Sequence, residues 1–145
     1  MPILEWIMPV VIALIFITLA SLLKEPARQK CMAVTIAGAG AAYLSSGGAG
    51  IWEFPFCILI TYLAYRGLTS YRFIGIGWLL HTIWDVVHHQ LGAPIIPLSA
   101  TSSFGCAVCD PVIAIWCFAG APGIFDLLRK HHAHASPERF ANLSS

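Results

Sequence analysis

The sequence predicts an all-α integral membrane bundle of five transmembrane helices, with the N-terminus outside and the C-terminus cytoplasmic. Three observations carry that expectation. The 145 residues are 58% hydrophobic and only 10% charged, whereas about a quarter of the residues in ordinary soluble domains are charged. The apolar residues fall into five stretches of 15 to 21 residues, the first of them as long as the roughly 20 helical residues that cross a hydrocarbon core. If the first stretch runs inward, every Lys and Arg of the chain (Lys24, Arg28, Lys30, Arg66, Arg72, Arg129, Lys130 and Arg139) falls on the inner side, as the positive-inside rule requires.

The first span covers Ile3 to Leu23. No basic residue precedes it, and Lys24, Arg28 and Lys30 follow directly, the reverse of a cleaved signal peptide. Pro26 discourages helix continuation in the polar turn that follows. The second span, Cys31 to Ser46, contains the run Ala37-Gly38-Ala39-Gly40-Ala41-Ala42. Small residues let helix backbones approach closely in lipid, so this helix is expected to be central. A Ser/Gly-rich break ends it. The third span, Ile51 to Tyr65, opens with Trp52-Glu53-Phe54-Pro55, and the fourth runs from Phe73 to Leu91. After a connector rich in Pro, Ser and Thr, Asp110 is the expected N-cap and Pro111 the first residue of a fifth helix reaching Leu128, with a kink at Pro122. Trp6 and Trp52 at the outer boundary and Tyr65 and Tyr71 at the inner one suit interfacial aromatic belts. Residues 1–130 are therefore read as the transmembrane domain and 131–145 as a polar cytoplasmic tail, whose His131, His132 and His134 are read as solvated.

The fourth span holds the chemistry. His81, Asp85 and His88 fall on one stripe of a helix turning about 100° per residue, with His89 at its margin. At 1.5 Å per residue His81 lies about 13 Å from Arg72 along the axis, near the midplane. Ionisable groups at such depth cost about 2.5–3.5 kcal/mol on insertion scales and usually face an interior site. The bland alternative is an Asp85–His81 pair that only holds helices in register. Asp85, His88 and His89, at i, i+3 and i+4, are the expected core ligands of a divalent metal, zinc or iron. His81 is expected nearby as a proton acceptor and Glu53 as a further ligand or general base, with Asp110, Cys106 and Cys109 the other ligand candidates that topology brings within reach. Carboxylate-x-x-His on a bundle helix is the element from which such sites are built. His81 and His88, two turns apart, are too distant to share one ion.

Of the five cysteines, Cys106 and Cys109 form the one recognisable pair. A local disulfide, a redox dithiol and metal ligation all remain open for it. Cys31, Cys57 and Cys117 read as small apolar residues.

The segments Lys24-Glu25-Pro26, Trp52-Glu53 with Pro55-Phe56, Tyr71-Arg72-Phe73-Ile74-Gly75, Trp78-Leu79-Leu80-His81-Thr82 with Trp84-Asp85 and His88-His89, and Gly105-Cys106 with Cys109-Asp110-Pro111 resemble a family of small bacterial multi-pass membrane proteins defined only as a domain of unknown function. The resemblance spans nearly the whole chain and implies kinship and a bacterial inner-membrane location, with no activity attached. In residue types alone, the His/Asp stripe is similar to that of membrane hydrolases related to alkaline ceramidases. Those proteins have seven spans and spread their zinc ligands over several helices.

The functional expectation is a metal-binding membrane protein with a polar site opening to the outer face, acting on a lipid or small apolar substrate. The alternatives are a proton or ion relay, which would need Asp126 or a second copy to continue it inward, and a non-catalytic subunit of a larger complex. Membrane lipid is the expected partner, a homo-oligomer is compatible with the pattern, and the near-balanced charge of +1 gives no basis for nucleic-acid binding.

Overall fold

A computed structural model describes residues 3–46, 48–95, 101–124 and 126–127. Among them the chain forms five helices and no strand: α1 (Leu4–Ser21), α2 (Ala27–Ser46), α3 (Glu53–Gly67), α4 (Tyr71–Gln90) and α5 (Ser102–Phe118), with a single 3-10 turn at Gly50–Trp52 before α3. One helix, Leu4–Ser21, is long and apolar enough to cross a membrane by length and composition, and Ser102–Phe118 is a shorter apolar helix.

The helices alternate in direction. Tyr43 near the end of α2 meets Phe56 near the start of α3, and Gly67 at the end of α3 meets Ile74 near the start of α4 and Ala33 near the start of α2. Gly75 faces Phe118, and His89 faces Phe104, so α5 runs back along α4. Trp6 at the start of α1 packs edge-on against Phe104 at the start of α5, with ring centroids 4.8 Å apart. One end of the bundle therefore carries the starts of α1, α3 and α5. The other carries Lys24, Arg28, Lys30, Arg66 and Arg72; Arg129, Lys130, Arg139 and the tail lie outside the described residues.

Small residues set the helix spacing. A Cβ on Gly40 would lie 2.6 Å from Ile60 Cγ2, and one on Gly77 would lie 3.0 Å from Ile36 Cγ1. The small-residue helix α2 touches α1, α3 and α4, while α4 touches α2, α3 and α5, so the two share the centre. Gly40→Val is expected to wedge α2 from α3 and cost about 1–3 kcal/mol, as overpacking does, read as a lower melting temperature.

The fifth helix differs from its expected bounds. It starts at Ser102, so Asp110 lies mid-helix and Pro111 is inside it. The residues before Pro111 make a full two turns that bury Ser103 and Asp110, and this packing outweighs the donor that proline removes. Pro122 kinks nothing, because the helix has already ended. Gly120, at φ 83°, donates to Cys117 O, and the Ala121 N–H donates to Trp116 O at 2.9 Å, the paired bonds of a Schellman C-terminus.

At the basic end, the guanidinium of Arg28 is buried. It donates to Glu25 Oε1 at 2.9 Å, Leu23 O at 3.2 Å and Asp126 Oδ2 at 3.3 Å, and Tyr71 donates to Glu25 Oε1 at 2.7 Å. Asp126 is thus held at this far end by Arg28.

Candidate metal centre

The polar interior is built by four helices. The 3.6-residue period puts His81, Asp85 and His88 on the buried face of α4, and all three are buried, as are Glu53 of α3 and Asp110 of α5. Relative exposures are 4% for His81, 0% for Asp85 and His88, 2% for Glu53 and 3% for Asp110. Such groups are almost never fully buried unless partnered.

Their partners divide them into two clusters. In the deeper one, His81 Nδ1 lies 2.7 Å from Asp110 Oδ2 and 3.1 Å from Asp85 Oδ2. Nδ1 thus sits between two carboxylate oxygens, within hydrogen-bond distance of both. Tyr43 of α2 donates its hydroxyl to Asp85 Oδ1 at 2.5 Å. Its ring lies between the two histidines, 5.1 Å from His81 and 4.7 Å from His88 by centroid. His81 Nε2 and the neighbouring Trp78 Nε1 are buried without a hydrogen-bond partner.

In the second cluster, one turn closer to the end where α3 and α5 begin, Glu53 is the hub. Its Oε2 accepts the Trp84 indole N–H at 2.8 Å, and its Oε1 accepts the Ala49 N–H at 2.9 Å. His88 Nε2 is 2.8 Å from Glu53 Oε1, close enough for an ion pair but without hydrogen-bond alignment. Gly48 permits this packing, since a Cβ there would sit 2.9 Å from His88 Nδ1.

His81, Asp85 and Asp110 each offer one ligand atom, and these atoms lie within 4.8 Å of one another. An ion about 2.0–2.2 Å from each ligand needs them within about 4.4 Å, a small adjustment of side chains. The charges favour a cation. Two acids share one imidazole, and among the described residues no Lys or Arg pairs with either acid.

The structure thus distributes the expected ligands differently. Asp85 meets His81 one turn below it, His88 is committed to Glu53, and His89 is exposed with its ring 5.6 Å from Phe104. Positions i+3 and i+4 from Asp85 straddle the buried stripe, so one histidine turns inward and the other outward. Cys106 and Cys109 are free thiols, half-buried on α5 and outside the group of ligand atoms. Asp110 joins the site because α5 begins early and carries it inward. Tyr43 was not singled out in the sequence; the signal was a lone phenol closing the small-residue stretch of α2.

Among the described residues these features define an all-α arrangement of five helices with a buried His/Asp group able to hold a metal ion. The chain belongs to DUF6010, a family of unknown function, whose model matches residues 4–123, a range that takes in all five helices and both polar clusters. No curated protein and no solved structure shows significant similarity to it.

Proposed function

We propose that the chain spans a membrane five times and holds one divalent metal, zinc or iron, between His81, Asp85 and Asp110, for metal-assisted chemistry on a lipid or small apolar substrate. The observation that carries the metal is the sharing of a single imidazole by two carboxylates that water does not reach. A divalent ion held by His81, Asp85 and Asp110 would balance the charge of the two acids. Three protein ligands leave a coordination position open, as in catalytic rather than structural zinc sites. Glu53 and His88, adjacent but separately paired, would exchange protons between this centre and the end at which α1 begins.

The membrane reading rests on an inverted distribution of polarity. The interior holds Glu53, His81, Asp85, His88 and Asp110, while Ile12, Ile15, Val34, Ile58, Ile83 and Ile115 are exposed. Soluble monomers rarely expose contiguous apolar patches beyond a few hundred Å². The described basic residues gathered at one end of the bundle support a cytoplasmic position for that end.

A proton relay is the second reading, favoured by the hydrogen-bonded run Asp110–His81–Asp85–Tyr43. Toward the basic end, however, the run meets buried Ile74, Ile113, Ala114 and Cys117, and Asp126 is held by Arg28. A path that ends blind suits a ligand site better than a conductor.

Metal analysis of the protein purified in detergent from alkali-washed membranes tests the proposal. About one equivalent of zinc or iron is expected, lost in Asp85→Asn and retained in the Cys106→Ser/Cys109→Ser double variant. Release of the chain by the alkaline wash would end the membrane half, and no bound metal after zinc reconstitution would end the other.

A further inference from the structure

We infer that the groove between α1 and α5 seats one acyl chain of a bilayer phospholipid, beside the metal centre. The inference rests on the membrane reading above and deepens it by naming the class of molecule that approaches the site. The groove has a volume of about 540 Å³ and is lined by Leu4, Met8, Pro9, Ile12 and Phe104, with Glu5, Thr101 and Ser102 as polar residues and Cys106 and Cys109 of α5 also on its wall. That volume falls within the range of small-molecule sites, about 300–1,000 Å³.

Three features select the occupant. Leu4, Met8 and Ile12 are 60%, 46% and 54% exposed, so in the membrane reading the groove opens sideways to the hydrocarbon. Its polar residues, Glu5 and Ser102 in the first turns of α1 and α5 and Thr101 at the N-cap of α5, lie in that reading at headgroup level, where an amphiphile has its polar part. The groove is also small. A helix about 10–12 Å across, rising 5.4 Å per turn, would fill it with little more than one turn, whereas a linear chain would lie along it. Cys106 is one turn from Asp110 on the same helix, and Cys109 adjoins it. A chain lying past these thiols runs beside the ligand group.

The test uses the full chain in phosphatidylcholine vesicles doped with a phosphatidylcholine that carries a photoreactive diazirine in its acyl chain, with adducts mapped by mass spectrometry. Adducts around Met8, Ile12 and Phe104–Cys109 are expected to exceed those at Ile58 and Ile83 on the open surface by about tenfold, the ratio given by 1.4 kcal/mol of preference. In Gly105→Leu the new Cβ meets only Pro9 Cγ, at 4.0 Å, and the rest of the side chain fills the groove. Groove adducts should then fall to the level of Ile58. Met8→Trp repeats the block from the α1 wall. Adducts no denser than at Ile58 and Ile83, or undiminished in both variants, overturn the inference, leaving surface lipid only. Metal content read on the same samples separates the two claims. Groove adducts in a metal-free protein sink the metal centre alone, metal without groove adducts sinks the lipid site alone, and a chain that does not enter vesicles sinks this inference with the membrane reading.

Discussion

Asp110→Ala is expected to abolish stoichiometric metal binding while leaving the metal-free protein about as stable as before. It removes one of three ligands, so affinity should fall by more than the 10–100-fold that follows loss of a partner outside the ligand set. The metal-free protein tells the two roles of Asp110 apart. If His81 and Asp110 form a structural ion pair, removing one partner from a buried pair costs about 3–5 kcal/mol. If the cluster exists to hold a cation, deleting a carboxylate relieves its repulsion with Asp85, and alanine is a better helix residue than aspartate by several tenths of a kcal/mol. The thermal shift on adding zinc is the measurement. Wild type should gain about 2.7 kcal/mol at a hundred times its dissociation constant, and the variant should gain nothing. A large loss of stability without metal, with the zinc response intact, would overturn the assignment of Asp110 as a ligand.

Glu53→Ala should have the opposite signature, a loss of stability with metal binding retained in the protein that still folds. The substitution strands the Trp84 indole N–H, the Ala49 N–H and His88 in a site that is 2% exposed. Each orphaned neutral donor costs about 1–3 kcal/mol; shared partners keep the total below the sum. Glu53→Gln should recover part of the loss, since its single carbonyl oxygen can accept only some of the donors that the carboxylate serves. Loss of metal in Glu53→Gln at unchanged stability would return Glu53 to the ligand set.

The buried stripe of α4 was legible because it is local. A period of 3.6 residues fixes which side chains share a face, and His81, Asp85 and His88 are all buried while His89 is not. The pairing along that stripe was not legible. From Asp85, His81 at i−4 and His88 at i+3 are equally reachable, and the choice depends on what the neighbouring helices present at each level. Asp110 arrives opposite His81, and Glu53 arrives opposite His88. Asp110-Pro111 was misread for a related reason: an acid before a proline is a good helix start by local chemistry, yet here the helix packs through it.

By itself the sequence determined that the described residues are helical, which face of α4 carries its polar groups, and that the described basic residues gather at one end, because periodicity and turn chemistry act over a few residues. Only the tertiary structure decided which acids share the His81 imidazole and that a phenol from α2 joins them. Those contacts depend on how far one helix slides along another, and that is set by close approaches such as Gly40 on Ile60 and Gly75 on Phe118, which no local pattern records.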